Sequence, residues 1–565
     1  MHDLLFVNAT VVDGTGAPAR RASLAVRDGR ISAIVDGADA DPGPARVRID
    51  ADGRVLAPGI IDPHTHYDAQ ITWDPSASPS LGLGVTTVIM GNCGFTIAPC
   101  KPGDRDRTLK NLTQVEGMSL DALQAGTRWD FETFPQYLQM LRRNGVAPNV
   151  ATYCGHSSLR TYVMGEAATE RAATADEIAQ MRGLLIEALD NGAIGFATST
   201  FEGHNGWGGV PMPSRLADAE ELDALIGALG ETGKGCFMLT KGRNDRIDRF
   251  EQLAARTGRP MVVAAIAYDK ANPQAAIGDI RAIEAAAERG QPVYAQVPCT
   301  PISMDLTLTG FYAFEGLASW KPAIGLYHDK PKLAALYADP AFRAAVKQEL
   351  VAPGALNRFT DQWHLMEILE PARAEHRHYT HRNIAELAEV DGKHPLDWLL
   401  DFGASEDFDT LFNAQILNAD ETEVLKLLKS PRTSITLSDA GAHLSLFCDA
   451  GFALHMLSRW VRERGDFTLE EAVHRLTGAQ ADIYGIPDRG RLRVGAAADL
   501  ILFDAQTVGR TPKQRTRDLP AGAARLVTGS TGLHGVWVNG VRTVEDDRLV
   551  VGNATPGEVL ERFAS

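Results

Sequence analysis

Two histidines in alternation are the residues whose spacing first suggests chemistry. The apolar run from Ala57 to Ile61 leads through an aspartate and a proline to His64 and His66. Residues at positions i and i+2 of a strand point to the same side, so a strand that ends in His-x-His aims two imidazoles at one place. Neutral imidazoles are good ligands for zinc. The alternative is an ordinary pair of hydrogen-bonded surface histidines, which the buried character of the preceding run disfavours.

A cysteine follows the next β-branched run. Val85–Met90 precedes Gly91 and Asn92, and Cys93 comes next, between small residues that allow the backbone to approach a site closely. A thiolate in that place could be a further zinc ligand. The alternative is a buried and inert thiol.

An aspartate ends a third apolar run. Thr433–Leu437 leads through a serine to Asp439. A carboxylate beside a metal-activated water can take its proton and pass it to the leaving amine. An aspartate close to a glycine is also common turn chemistry, but the combination with His64, His66 and Cys93 favours a catalytic interpretation.

Alternating strands and helices are predicted to position these residues. Thr174 and Glu177 form a capping box, and an apolar helical stripe follows until Asn191 and Gly192. A strand is predicted next, and similar units recur around Pro260–Ile266. The fold class predicted is α/β, a (β/α)8 TIM-like barrel.

The two ends and one internal segment differ from this alternation. Both ends read as short strands, with Asn539 and Gly540 as a hairpin signal. Residues 1–56 with 488–565 are therefore predicted to form a small β-sandwich beside a barrel of residues 57–487. Residues 311–412, rich in Trp, His, Tyr and Pro, are predicted to be an insertion or lid over the barrel mouth.

Composition limits the class of partner. The chain has 565 residues, of which 44% are hydrophobic and 23% charged, as in an average soluble globular protein. A net charge of -16 argues against nucleic acid or an anionic membrane as the main partner. We find neither a signal peptide nor an apolar run of about 18 residues, and the six cysteines are scattered. A cytoplasmic location is therefore expected, and a homo-oligomer is left open.

Taken together, these motifs resemble the amidohydrolase superfamily and, within it, the D-aminoacylase (N-acyl-D-amino-acid deacylase) branch. The resemblance covers almost the whole chain. The segments that carry it are 57–66, 91–95, 154–160, 192–200, 438–439 and 488–499. It implies a metal-dependent barrel, Zn²⁺ as cofactor, and hydrolysis of an amide by metal-activated water.

The resemblance also implies roles for individual residues. His64 and His66 match the ligands of the first strand, and Cys93 matches the ligand of the second. Asp439 matches the aspartate of the final strand, which is both a metal ligand and the catalytic acid and base.

Several positions depart from the branch. Lys241 stands where a metal-binding histidine of the fifth strand is expected, and Ala265 stands where one of the sixth strand is expected. Cys299 replaces an expected tyrosine, and His443 lies in a segment that lacks the expected arginine motif. The usual tight zinc site is thus incomplete, and the usual clamp for a substrate carboxylate is missing.

Two arrangements could restore a metal centre. Lys241 could be carboxylated and bridge two ions, as in other amidohydrolases, or it could stay cationic. Alternatively, one ion could be held by His64, His66 and Asp439 with Cys93 close by. One or two divalent ions are therefore left open.

Loop residues at the predicted barrel mouth are candidates for binding the substrate. His156, His204 and His443 each lie where such a loop is expected, and Arg243 could bind a substrate carboxylate through two hydrogen bonds. A lone loop histidine is more often an ordinary surface or core residue, and Arg243 could equally pair with a neighbouring acid.

The function predicted is metal-dependent hydrolysis of a non-peptide C–N amide bond in a small molecule, as in an N-acyl-amino-acid deacylase. One alternative is a cyclic amide hydrolase, of the hydantoinase or dihydroorotase kind, with carboxylated Lys241. The other is a non-catalytic binding protein with an amidohydrolase fold.

Overall fold

A closed barrel of parallel strands forms the centre of the molecule. The computed structural model describes residues 1–37, 40–115, 117–352, 359, 361–443 and 448–564. Eight parallel strands form one curled sheet, with neighbours in chain order. They are Ile60–Asp62, Val85–Met90, Asn149–Gly155, Gly195–Ser199, Cys236–Thr240, Met261–Ala264, Val293–Val297 and Thr433–Ile435. The predicted TIM-like barrel is confirmed.

The first and eighth strands meet just beyond their carboxyl ends. The backbone N–H of His66 donates to the carbonyl oxygen of Ala440 at 2.7 Å, and the Ser438 hydroxyl donates to the carbonyl oxygen of His64 at 3.1 Å. The closure of the barrel therefore brings His64 and His66 alongside the segment that carries Asp439.

Helices surround the barrel and bury one apolar face against it. Ala175–Asp190 begins at the predicted capping box, in which Thr174 and Glu177 exchange hydrogen bonds, and it buries the predicted stripe. The other helices outside the lid described below are Arg105–Val115, Leu120–Gly126, Phe134–Asn144, His156–Met164, Ala219–Thr232, Ile247–Thr257, Pro273–Glu288, Glu421–Leu428, Phe452–His455, the π-helix Met456–Glu463, Leu469–Leu476 and Gly478–Ile483.

Both ends of the chain contribute to one nine-stranded sheet. Its strands are His2–Val11, Arg20–Arg27, Arg30–Asp36, Ala45–Asp50, Val55–Pro58, Leu500–Phe503, Leu533–Val538, Val541–Glu545 and Arg548–Leu549. Val55–Pro58 lies between the N-terminal and C-terminal strands and leads directly into the first barrel strand. Two small ladders lie outside this sheet, Gly509–Arg510 with Ser530–Thr531 and Gln514–Thr516 with Arg525–Val527. The domain boundaries given above stay a prediction.

The segment between the seventh and eighth barrel strands, residues 302–417, has a sheet and a core of its own, and we call it the lid. Its antiparallel strands are Ile302–Leu306, Met366–Glu370 and Leu411–Leu417. Its helices are Lys321–Ile324, Lys330–Ala338, Pro340–Leu350, Ile384–Val390 and Pro395–Ser405. Phe311, Trp320 and Tyr337 are fully buried in its core. Because the lid leaves the barrel at the carboxyl end of the seventh strand, it begins beside the barrel mouth.

Among the described residues, no helix combines the length and the apolar character that crossing a bilayer requires.

Candidate metal centre

The two histidines lie beyond the end of the first barrel strand, as alternation predicts. Their rings are edge to face, with centroids 5.2 Å apart, and both side chains are buried. The backbone contacts that close the barrel fix this segment on one side. On the same side Gly441, at a φ of 90°, lies so close that a Cβ atom would come within 2.7 Å of the His66 backbone. The imidazoles are therefore held by backbone packing as well as by side-chain contacts.

Cys93 meets the histidines from the second strand. Its backbone is left-handed, at a φ of 57°, and this turn directs Sγ to a point 3.7 Å from His64 Nε2. The thiol also lies 3.1 Å from the hydroxyl of Thr240 at the end of the fifth strand. Among the described residues, the ligand atoms of His64, His66 and Cys93 all lie within 4.8 Å of one another.

Asp439 completes the cluster from the segment after the eighth strand. Its Oδ1 lies 3.1 Å from His64 Nε2 and 3.5 Å from His66 Nε2. The side chain is 20% exposed, which leaves the carboxylate open on one side. The four residues that the sequence placed at three strand ends are thus brought together.

The cluster fits a divalent ion such as zinc. Zinc–nitrogen and zinc–oxygen bonds of about 2.0 Å and zinc–sulfur bonds of about 2.3 Å place the corners of a tetrahedron about 3.3–3.5 Å apart. Three of the distances between these donor atoms are close to this range: Asp439 Oδ1 lies 3.1 Å from His64 Nε2 and 3.5 Å from His66 Nε2, and Cys93 Sγ lies 3.7 Å from His64 Nε2. Two nitrogens, one sulfur and one carboxylate oxygen are also a donor set typical of zinc.

The same four groups shift the pKa values of one another. Burial lowers the pKa of His64, but Asp439 and Cys93 more than offset this effect and raise the pKa to about 10. Burial raises the pKa of Asp439, yet His64 and His66 hold it well below its ordinary value. The pKa of the Cys93 thiol is also lowered, because hydrogen bonds from the two imidazoles outweigh its burial. These shifts favour the ionised forms of Asp439 and Cys93, whereas His64, with its raised pKa, has to release a proton when its Nε2 binds a metal ion.

Two residues that contact the ligands were not identified from the sequence. Gln296 Oε1 lies 2.6 Å from His64 Nδ1, and the Thr240 hydroxyl lies against Cys93 Sγ. Gln296 had a signal, because it is a polar residue within the buried run Val293–Val297. Thr240 had none, because threonine is ordinary at the end of a strand.

Lys241 does not join the cluster. Its Nζ forms an ion pair with Asp279 on the helix Pro273–Glu288, and both side chains are mostly buried. This pair requires the ammonium form, because a carboxylated lysine would place two like charges side by side. The neighbouring Ala265 has only a methyl group to offer.

The candidate substrate-binding residues lie in different environments. His156 is fully buried, with Nδ1 2.8 Å from the Thr198 hydroxyl and Nε2 2.7 Å from Glu221, so both ring nitrogens have protein partners. The Arg243 side chain is 80% exposed and lies 3.6 Å from Glu202.

Two further histidines lie near Asp439. His443 helps to lower the pKa of Asp439. His204 packs edge to face on Phe95 and Phe201, with Nδ1 2.6 Å from the Ser199 hydroxyl. The pKa of His204 is lowered to about 3, mainly by burial and to a smaller extent by the charge of His443.

Comparisons with known proteins agree with this geometry. Residues 48–544 match the sequence profile of a family described as the amidohydrolase family. D-aminoacylase from Alcaligenes xylosoxydans xylosoxydans is 30% identical in an alignment that covers 100% of this chain and 98% of that protein.

Two solved structures are similar over the whole chain. One is a D-aminoacylase studied for the functional role of its binuclear metal center, with one-metal activation and second-metal attenuation. It has a TM-score of 0.65 and 27% identity, and the match covers 100% of both chains. The other is an N-acyl-D-glutamate deacylase from Bordetella bronchiseptica, complexed with zinc and a phosphonate mimic of the tetrahedral intermediate. Its TM-score is 0.65 at 26% identity, over 99% of this chain and 100% of that one. The protein described here belongs to the amidohydrolase family.

Proposed function

We propose that this amidohydrolase removes the acyl group from an N-acyl amino acid, with one divalent metal ion held by His64, His66 and Cys93 and with Asp439 as the proton carrier. The observation that supports it is the convergence of these side chains from three separate strand ends: the ligand atoms of His64, His66 and Cys93 lie within 4.8 Å of one another, and Asp439 Oδ1 lies 3.1 Å from His64 Nε2. The deacylase relatives support the substrate class.

A divalent ion bound there would polarise the amide carbonyl and lower the pKa of a water molecule. The role of Asp439 follows from its position. Its carboxylate is within reach of both imidazoles and partly exposed, so it can accept a proton from the attacking water. It can then donate that proton to the leaving nitrogen.

Three features of the chain support a single ion. Lys241 is engaged by Asp279, Ala265 has no donor atom, and the ligand atoms of His64, His66 and Cys93 form one cluster, against which Asp439 lies. The D-aminoacylase relative is described as activated by one metal and attenuated by a second. A single-ion site would therefore be sufficient for hydrolysis.

The experiment that tests the proposal is a substrate panel on zinc-loaded protein. We expect release of the acyl group from N-acetyl and longer N-acyl amino acids, with both enantiomers assayed separately. Hydantoins and dihydropyrimidines should be inert, because Lys241 is paired with Asp279 and we expect it to stay uncarboxylated. Hydrolysis of the cyclic amides alone would overturn the proposal, and so would full activity in protein stripped of metal.

A further inference from the structure

A buried chain of two hydrogen bonds leads from Tyr484 through Gln296 to His64. The three side chains are almost completely shielded from solvent. Gln296 lies on the seventh strand, and Tyr484 directly follows the helix Gly478–Ile483. The two hydrogen bonds share the Gln296 amide, which gives the chain a direction.

The Gln296 amide joins the two links of this chain. The oxygen of Tyr484 accepts a hydrogen bond from Gln296 Nε2 at 2.9 Å. The carbonyl oxygen of Gln296 therefore faces His64 Nδ1, at 2.6 Å, and an amide oxygen can only accept a hydrogen bond. Burial raises the pKa of Tyr484 far above the ordinary value, so the phenol keeps its proton.

We propose that Gln296 is a positioning residue, held by Tyr484, which accepts a hydrogen bond from Nδ1 of His64 and so turns Nε2 toward the metal position. This inference rests on the proposed function, because it explains the role of Nδ1 in His64, which is one of the proposed metal ligands. The nitrogen of a histidine that binds metal is set by the hydrogen bond that its other nitrogen makes. Here the partner is a neutral amide rather than a carboxylate.

Two substitutions at one position separate this role from a structural one. Gln296→Met keeps the length of the side chain but removes the acceptor, whereas Gln296→Glu keeps an oxygen acceptor and makes it more basic. We expect Q296M to bind zinc ~10- to 100-fold more weakly than the native protein. Q296E should bind zinc at least as tightly as the native protein. If Gln296 had only a structural role, both variants would lose zinc affinity.

The matched control lies in the lid. Asn413 is a buried amide that donates to Asp305 at 2.7 Å, so Asn413→Leu removes a comparable buried hydrogen bond outside the chain. Zinc affinity, measured by competition with a chromophoric chelator, should be native in N413L. Equal losses in N413L and Q296M would overturn the proposal, and so would equal losses in Q296M and Q296E.

A measurement without metal keeps the two proposals apart. In the metal-free native protein, nitrogen-15 spectra of labelled histidine should show a hydrogen-bonded proton on His64 Nδ1. That signal should disappear in Q296M and persist in N413L. If the native protein shows this signal but binds no zinc, the proposed function fails and the directed chain stands. If zinc binds and the native spectrum lacks the signal, the chain is wrong and the metal centre stands.

Discussion

Cys93 and Asp439 share a backbone conformation that non-glycine residues seldom adopt. Their φ angles are 57° and 46°, and His443 has a φ of 51°. Such left-handed residues cost of the order of 1 kcal/mol and concentrate at functional sites. In this chain they turn the side chains of two loops inward, toward His64 and His66. The strained backbone at Cys93 and Asp439 thus occurs where their side chains turn toward the other candidate ligands.

Asp439→Asn tests the proton carrier. The amide keeps the shape of the carboxylate but cannot accept the proton of the attacking water. We expect kcat to fall by ~10²- to 10⁴-fold, the usual contribution of a general acid and base. Zinc content should be measured in the same samples to show that the ion is retained. A matched control is Glu202→Gln, an exposed carboxylate that contacts Arg243, which should leave kcat unchanged. Native kcat in metal-loaded D439N would contradict the role.

Lys241→Met tests whether the lysine belongs to the metal centre. Because its ammonium group pairs with Asp279, we expect the loss of this partly exposed pair to cost about 1 kcal/mol of stability or less. The zinc content should stay native. Mass spectrometry of the native protein should find no carbon dioxide adduct on the lysine, and added bicarbonate should not raise activity. An adduct, or loss of zinc in K241M, would show that the lysine is a ligand.

At the scale of secondary-structure elements, the sequence predicts what depends on local periodicity. Alternation along a strand places His64 and His66 on one side, and the capping box at Thr174 marks a helix start. Local periodicity cannot predict contacts between elements that are distant in the sequence. The direction of Lys241 depends on Asp279, which lies on the helix Pro273–Glu288, beyond the sixth strand. The partner of His64 comes from a strand 232 residues away, so only a packed barrel reveals it.

The lid contains a buried acid whose ionisation opposes folding. Burial raises the pKa of Asp305 to about 6, from an ordinary value of 3.8, although Asn413 and nearby cations lower it. The folded lid therefore binds a proton more tightly than the unfolded lid does. Its stability is greatest below about pH 4 and falls as the pH rises toward 6, by up to about 3 kcal/mol for a shift of this size.

Asp305→Asn should remove this dependence. An amide at this position can still accept from Asn413 and carries no charge at any pH. Relative to the native protein, the stability of the D305N lid should improve by up to about 3 kcal/mol between pH 4 and pH 7. Hydrogen exchange of the strands Ile302–Leu306 and Leu411–Leu417 measures this local stability. Glu375→Gln, at an exposed lid carboxylate, is the control. A D305N lid with the native pH dependence would contradict the burial argument.

At the scale of the whole molecule, the C-terminal part of the chain, which shares a sheet with the N-terminal strands, bonds to the barrel strands. The N–H of Gly59 donates to the carbonyl oxygen of Asp499 at 2.9 Å, directly before the strand that leads to His64. Near the C-terminus, Glu558 and Leu560 bond to the backbone of Val150 in the third strand, both at 2.8 Å. A metal ion that binds only the folded barrel must therefore stabilise an assembly that includes both ends.

The most direct test of the metal centre is X-ray absorption of protein loaded with one equivalent of zinc. We predict one sulfur neighbour at about 2.3 Å and nitrogen or oxygen neighbours at about 2.0 Å, in fourfold coordination. In Cys93→Ser the sulfur contribution should disappear while the nitrogen and oxygen contribution remains. A native spectrum without sulfur would remove Cys93 from the ligand set. Failure to retain one equivalent of zinc would contradict the metal centre as a whole.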